Sequence, residues 1–264
     1  MTRKTDAWAA AAGVATALTS VGFAIDRRAG TRPVGALAGA GAAALYLAGT
    51  FDSRTRLFGR SVTTESTGDA FALTFDDGPD PRYTSEISRL LAERGHRATF
   101  FVLGRAVRAY PAIAAQVIAD GHEVASHGDD HRLLAFSAPR EIRRQIAATE
   151  DAVQDAAGRL PEPFFRPPHG IRSAWLTRTV ESCGYRVCAW DGSVFDTAQP
   201  GSGVIASRVG RLLRPGAIIL LHDGDGTGGG AGRSQTVEAL PAILDRAEGS
   251  GLRSVALGAL VRAA

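Results

Sequence analysis

From residue 71 to residue 257, short apolar runs alternate with stretches of helical spacing. No other feature of the chain constrains its fold as much. Phe71–Phe75, Ala98–Leu103, Glu123–Ser126, Phe164–Arg166, Tyr185–Trp190, Ala217–Leu221 and Arg253–Leu257 read as strands. Between them Tyr83–Arg94, Pro111–Asp120, Ala138–Ala157, Ala174–Ser182, Val204–Leu213 and Thr236–Glu248 read as helices. Gly95 and Gly121 stop the first two. Strand then helix, repeated, predicts an α/β domain: a parallel sheet or (β/α) barrel with its chemistry at the C-terminal strand ends.

Residues 1–60 differ in kind. Ala7–Ile25 is 19 residues without a charge, and Val34–Phe51 is a further 18, with Arg27, Arg28 and Arg32 between them. A membrane span needs roughly 20 apolar residues, and the abundant Ala and Gly would let two helices pack closely. The expectation is a two-helix membrane hairpin (7–25 and 34–51) on residues 1–60, a polar linker at 61–68 and a catalytic domain at 69–257. A cleaved signal peptide followed by an Ala/Gly linker is the alternative, but the first stretch exceeds the usual 7–15-residue signal core. Counting Lys and Arg on either side of the two stretches leans slightly against a domain outside the cell.

Charge and cysteine usage exclude other classes. The net charge is +3, with no basic stripe interleaved with aromatics, so nucleic-acid binding is not expected. Cys183 and Cys188 form neither a disulfide framework nor a zinc knuckle. The glycine-rich stretch 224–232 lacks the Lys-Ser/Thr of a phosphate loop and reads as a mobile connection.

Polar residues follow the strand-like runs. The first run ends in Asp76-Asp77. Two adjacent carboxylates repel unless a cation or proton relieves them; a metal on one, with the other free as a base, would use both. An ordinary Asx-type turn is the alternative. The third run ends in Ser126-His127-Gly128-Asp129-Asp130-His131. Two His at i, i+4 on one face of a helical turn suit a single metal ion, and Asp77 would complete a His-His-Asp set with an open fourth position. A chance surface pair is the alternative. Next comes Arg166-Pro167-Pro168-His169-Gly170, where Arg166 would grip a carboxylate such as Asp76 in a bidentate contact or form a surface salt bridge. Trp190-Asp191 and Asp196 follow. His222-Asp223 ends the last apolar run, Ile218–Leu221. His222 is placed as a general acid, with a buried structural histidine as the alternative.

The motifs TFDDG (74–78), HGDDH (127–131), RPPHG (166–170), WDGSVFD (190–196) and LLHD (220–223) resemble, in order and spacing, those of the NodB-like polysaccharide deacetylases, carbohydrate esterase family 4. The resemblance covers about residues 69–257. It implies a distorted (β/α) barrel and a divalent metal, usually zinc, with Co2+ or another ion as alternatives. It also implies Asp77, His127 and His131 as ligands, Asp76 as base, His222 as acid, Arg166 orienting Asp76, and Asp196 tuning His222. Pro168, His169, Trp190 and Leu220 are expected to line the substrate site. Three departures stand out. Gly128 replaces the usual Ser or Thr that steadies the metal loop. Thr197 replaces a Trp that lines the acetyl pocket, which would be wider or filled by Phe195 or Trp190. His169, between the second Pro and the Gly, could reach the substrate.

The expected function is metal-dependent hydrolysis of N-acetyl groups from an acetamido-sugar polysaccharide, peptidoglycan or another envelope glycan. The expected location is the cell membrane, with the catalytic domain outside; this rests on the substrates of the family. The rivals are an amide hydrolase on a lipid-linked sugar or small amide, and a glycan-binding module without catalysis.

Overall fold

Strand β1 (Ala70–Asp76) lies at the centre of a parallel sheet, between β2 (Ala98–Val102) and β7 (Ile218–His222). In the computed structural model, residues 16–17, 20, 24, 37–44, 62, 68–226 and 232–262 are described. Outward from β2 run β3 (Glu123–Ser126), β4 (Glu162–Phe165) and β5 (Arg186–Val187). Outward from β7 lies β6 (Gly192–Ser193), giving the order β5-β4-β3-β2-β1-β7-β6. An eighth strand, β8 (Arg253–Ser254), pairs with the first two residues of β1. The sheet curls, but β5 and β6 share no ladder. It is a half-barrel, more open than the expected barrel.

The curl is written into the alternation of β1. Phe71, Leu73 and Phe75 face outward into one core with Phe100, Ile219 and Leu221. Helices α1 (Thr84–Glu93), α3 (Pro111–Ala119), α4 (Pro139–Ala157), α6 (Ser202–Leu212) and α7 (Ser234–Gly249) cover that face with Leu91, Val117, Val153, Ile205 and Leu244, among others. Ala72 faces inward with Phe101, Ala125, Phe164 and Ile218. Strands buried on both faces read as continuous apolar runs, and period 2 assigns each residue to its side.

Three elements depart from the sequence expectation. Short helix α2 (Gly104–Ala109) follows β2 directly. The run Tyr185–Trp190 forms a strand only at Arg186–Val187, with an isolated bridge at Cys188, and goes no further because the Ala189 carbonyl is taken by the Arg166 side chain at 3.1 Å. The last strand stops at Ser254 and the chain turns into helix α8 (Leu257–Arg262). Thr99 Oγ1 and a Glu123 carboxylate oxygen accept from the amides of Leu257 and Gly258, at 2.8 and 2.9 Å, and start that helix. Such partners, distant in sequence, leave no local signal. Helix α5 (Ala174–Ser182) completes the α-helices among the described residues from 68 onward.

Helix α8 plugs the end of the half-barrel opposite His222. Leu257 and Leu260 are fully buried in the inner core. Leu260→Ala is therefore expected to cost about 2–5 kcal/mol, read as a lower urea midpoint at unchanged m value.

Val62, inside the expected linker, is buried and forms an isolated parallel bridge to Cys188. The two expected membrane helices lie mostly outside the described residues; of them, residues 16–17, 20, 24 and 37–44 are described and are helical. Among the described residues no helix is long and apolar enough to cross a membrane.

Candidate active site

Ladder register brings the polar strand ends together. Asp76 pairs with His222 across β1 and β7. Ser126 pairs with Val102 on one side and Phe165 on the other, so His127 and Arg166 leave neighbouring strands at one level. All sit at the C-terminal rim of the sheet.

Asp77, His127 and His131 each offer a ligand atom, and the three atoms lie within 4.8 Å of one another. His127 Nε2 is 3.4 Å and His131 Nε2 3.0 Å from Asp77 Oδ1. Neither approach has hydrogen-bond geometry, and Asp77 Oδ1 is a buried oxygen without a hydrogen-bond partner. A buried, unsatisfied carboxylate oxygen facing two imidazole nitrogens suits a cation between them. The tautomer of His127 fits too: Nδ1–H donates to the Arg166 carbonyl at 2.7 Å, which turns the Nε2 lone pair inward. The donor set N, N, O suits zinc and related divalent ions. Burial alone would raise the Asp77 pKa, but the two histidines hold it well below the usual carboxylate range.

The two histidines do not share a helical turn, as their spacing suggested. Residues 127–131 form a loop in which Gly128 and His131 have positive φ, 79° and 61°. The loop, not an i, i+4 helix face, makes the rings converge to 5.3 Å between centroids.

Asp76 stands beside this set. Arg166 is fully buried, and one of its terminal nitrogens donates to Asp76 Oδ1 at 2.8 Å and to Thr74 Oγ1 at 2.8 Å. The other terminal nitrogen reaches the Ala189 carbonyl. The contact with Asp76 is thus made through one nitrogen, not the bidentate fork expected, because the guanidinium is shared among Asp76, Thr74, the Ala189 carbonyl and Cys188 Sγ. Phe101 packs under the guanidinium at 4.0 Å, and Trp190 lies 5.5 Å from it. Thr74 belongs to the TFDDG motif, yet its role was not read from the sequence. Period 2 puts Ala72, Thr74 and Asp76 on one face and was the available signal.

His222 Nδ1 lies 2.8 Å from Asp196 Oδ1. Asp196 Oδ2 accepts from the His222 amide at 2.8 Å and from Thr236 Oγ1 at 3.0 Å. Burial pushes the His222 pKa down, but the Asp196 carboxylate outweighs it and lifts the group to about 9. Despite its own burial, Asp196 is held below its usual range by His222. With Nδ1–H directed to Asp196, Nε2 is the nitrogen left to carry a transferable proton.

The remaining expected residues divide. His169 has φ 63°, and its ring meets that of His131 edge-on at 4.4 Å between centroids. Pro168 is buried beside Gly128. Trp190 is half-buried and packs over Gly170, where no side chain would fit. Leu220 is buried in the sheet, paired with Thr74 and Ser193. Phe195, a candidate filler of the acetyl pocket, is 63% exposed.

Other contributors were invisible in sequence. Asp223 is fully buried, accepts from Thr84 Oγ1 at 2.6 Å and leaves Oδ1 unpaired. Burial first, then Asp77 and Asp76, push its pKa up to about 7. A side chain at Gly78 would overlap that carboxylate, and one at Gly224 would meet the Asp77 carbonyl at 2.3 Å. Arg105 donates to the Gly226 carbonyl. The first part of the glycine-rich stretch is therefore packed on Asp77 and His131 rather than a bare connection; residues 227–231 lie outside the described ones.

Comparison with known proteins agrees with this geometry. The family model described as polysaccharide deacetylase matches residues 63–188. The peptidoglycan-N-acetylglucosamine deacetylase of Bacillus cereus is 36% identical over 194 residues, 72% of this chain and 87% of that protein. A chitooligosaccharide deacetylase of Sinorhizobium fredii is 36% identical over 197 residues, 71% of this chain and 92% of the relative. The structure of the peptidoglycan deacetylase PdaC from Bacillus subtilis superposes with a TM-score of 0.67 at 29% identity, covering 75% of this chain and 92% of that one.

Proposed function

The chain belongs to the polysaccharide deacetylase family, and on that premise we propose that it hydrolyses the N-acetyl groups of acetamido sugars in a glycan. The observation that carries the proposal is the buried Asp77 oxygen without a hydrogen-bond partner, facing the Nε2 atoms of His127 and His131. Asp76 and His222 lie beside it on paired strand ends.

Asp77, His127 and His131 would hold the divalent cation, zinc in our reading. When bound, such an ion makes water more acidic and polarises the acetamide carbonyl. Asp76, fixed by Arg166, accepts a proton from the attacking water. Its ion pair with a buried guanidinium keeps the carboxylate aimed at one place. A C–O bond forms at the carbonyl carbon. The C–N bond then breaks while His222 Nε2 gives its proton to the sugar nitrogen, which leaves as a neutral amine. Acetate and an amino sugar result. Asp196 keeps His222 protonated at neutral pH, so the acid is ready before the substrate arrives.

That last point has a pH signature. An acid must be protonated to act, so activity falls as pH rises through the pKa of His222, near 9. Asp196→Asn removes the anion that raises it. The alkaline limb of the kcat profile is expected to move down by at least one pH unit, toward the ordinary histidine value of about 6.5. A limb that stays in place would disprove the role of Asp196.

The substrate is envelope peptidoglycan or an N-acetylglucosamine oligomer, a choice supported by the relatives' substrates. The uncharged stretches 7–25 and 34–51 support a membrane tether, and the envelope substrate of a relative, not the charge count, supports a domain outside the cell; protease accessibility in intact cells tests it. The function itself is tested by acetate release from both glycans after chelation, with and without added zinc. Zinc-dependent release is expected. No release from either, with zinc bound, would refute the deacetylase.

A further inference from the structure

The loop between the two ligand histidines is held from both sides. On one side its carbonyls are taken: Gly104 N donates to Gly128 O at 3.1 Å, and Arg105 N to Asp129 O at 3.0 Å. These are the first two amides of α2, which a helix leaves unsatisfied. Only glycine fits at 104, since a side chain there would meet the Asp129 carboxylate at 2.7 Å and the Ala148 carbonyl at 3.0 Å.

On the other side its amides are taken by one side chain. Gln145, on α4, is fully buried. Its Oε1 accepts from Asp129 N at 2.6 Å and Asp130 N at 3.3 Å. Its Nε2 donates to Asp130 Oδ1 at 3.0 Å and to Glu141 Oε1 at 3.1 Å. The carboxamide therefore holds two consecutive residues of a loop that has no secondary structure of its own, and ties them to Glu141 on α4.

We infer that Gln145 is the positioning residue for the ligand loop, setting the separation and aim of His127 and His131 toward a divalent cation. This rests on the metal site described above. It accounts for Gly128, where the usual hydroxyl is missing. Gly128 has φ 79°, and a side chain there would approach Gln145 Oε1 to 3.2 Å. The carboxamide occupies the space beside residue 128 and does the steadying that a hydroxyl does elsewhere.

Gln145→Leu keeps the volume and removes the acceptor, orphaning two buried amides. Ile146→Ala is the control: Ile146 is buried in a different cluster of α4 contacts and touches no loop amide. Zinc affinity of the full-length chain is measured by competition with a chromogenic chelator, alongside Tm of the metal-free protein. Gln145→Leu is expected to weaken zinc binding 10–100-fold, the range for groups that orient metal ligands. Ile146→Ala should lower Tm with zinc affinity unchanged. Gly128→Ser, which restores the family hydroxyl, should weaken zinc binding rather than strengthen it.

Zinc affinity in Gln145→Leu equal to wild type would overturn the inference, whatever its Tm. Should that variant fail to fold, Gln145→Met, which removes the same acceptor and donor with an unbranched side chain, takes its place: a tenfold or greater loss of zinc affinity is expected, and affinity equal to wild type would overturn the inference. Acetate release plays no part in this readout. A chain whose zinc affinity depends on Gln145 but which releases no acetate would sink only the deacetylase.

Discussion

Asp77→Ala is expected to abolish both zinc binding and acetate release while leaving the metal-free protein folded. The carboxylate lies between two imidazoles within 3.4 Å, so its loss would leave only two nitrogens to hold an ion. Polarisation by a bound cation is worth several kcal/mol of transition-state stabilisation. At 1.36 kcal/mol per decade, activity should fall by about 10³-fold or more.

In the metal-free protein two effects oppose each other: Asp77 crowds the buried Asp223 carboxylate, but His127 and His131 favour the charged form of Asp77 itself. A carboxylate whose pKa is depressed on folding stabilises the fold at neutral pH, so the Tm of metal-free Asp77→Ala should not exceed that of wild type. Zinc at 1,000 times its Kd stabilises the wild type by about 4 kcal/mol and should leave the variant unchanged. Zinc-restored acetate release above a tenth of the wild-type rate would show that Asp77 is not a ligand.

His222→Ala is expected to lose about 10²–10⁴-fold in kcat on N-acetylglucosamine oligomers, the usual worth of a positioned acid. Substrate dependence tells this role from others. An aryl acetate expels a phenolate that leaves without a proton, so its hydrolysis should fall less than tenfold. Zinc affinity should not change, since His222 is not among the three residues placed to hold the ion. Equal losses on both substrates would mean that His222 serves the ion or the carbonyl instead of the leaving nitrogen.

Much of this was legible before any coordinates. Continuous apolar runs bounded by Gly and Pro gave the strands, and polar residues at their ends gave the site. Asp76, Asp77, His127, His131, Arg166 and His222 come together as expected. Misreadings occurred where partners are distant in sequence. The strand expected to run on to 189–190 stops short because a carbonyl needed for the ladder goes to Arg166. Helix α8 was missed because Thr99 and Glu123 start it. The helical turn drawn for 127–131 is a loop because Gly128 and His131 have positive φ.

The sequence by itself determined the alternation, the inward-facing set on β1 and which side chains can ligate, accept or donate. These follow from local periodicity and from the chemistry of single residues. Only the tertiary structure decided that the sheet remains a half-barrel and that Arg166 divides its donors. It alone showed that Gln145, 14 residues beyond the loop's last histidine, satisfies that loop's amides. A buried amide must find a partner wherever the fold offers one, and sequence spacing carries no record of where that is.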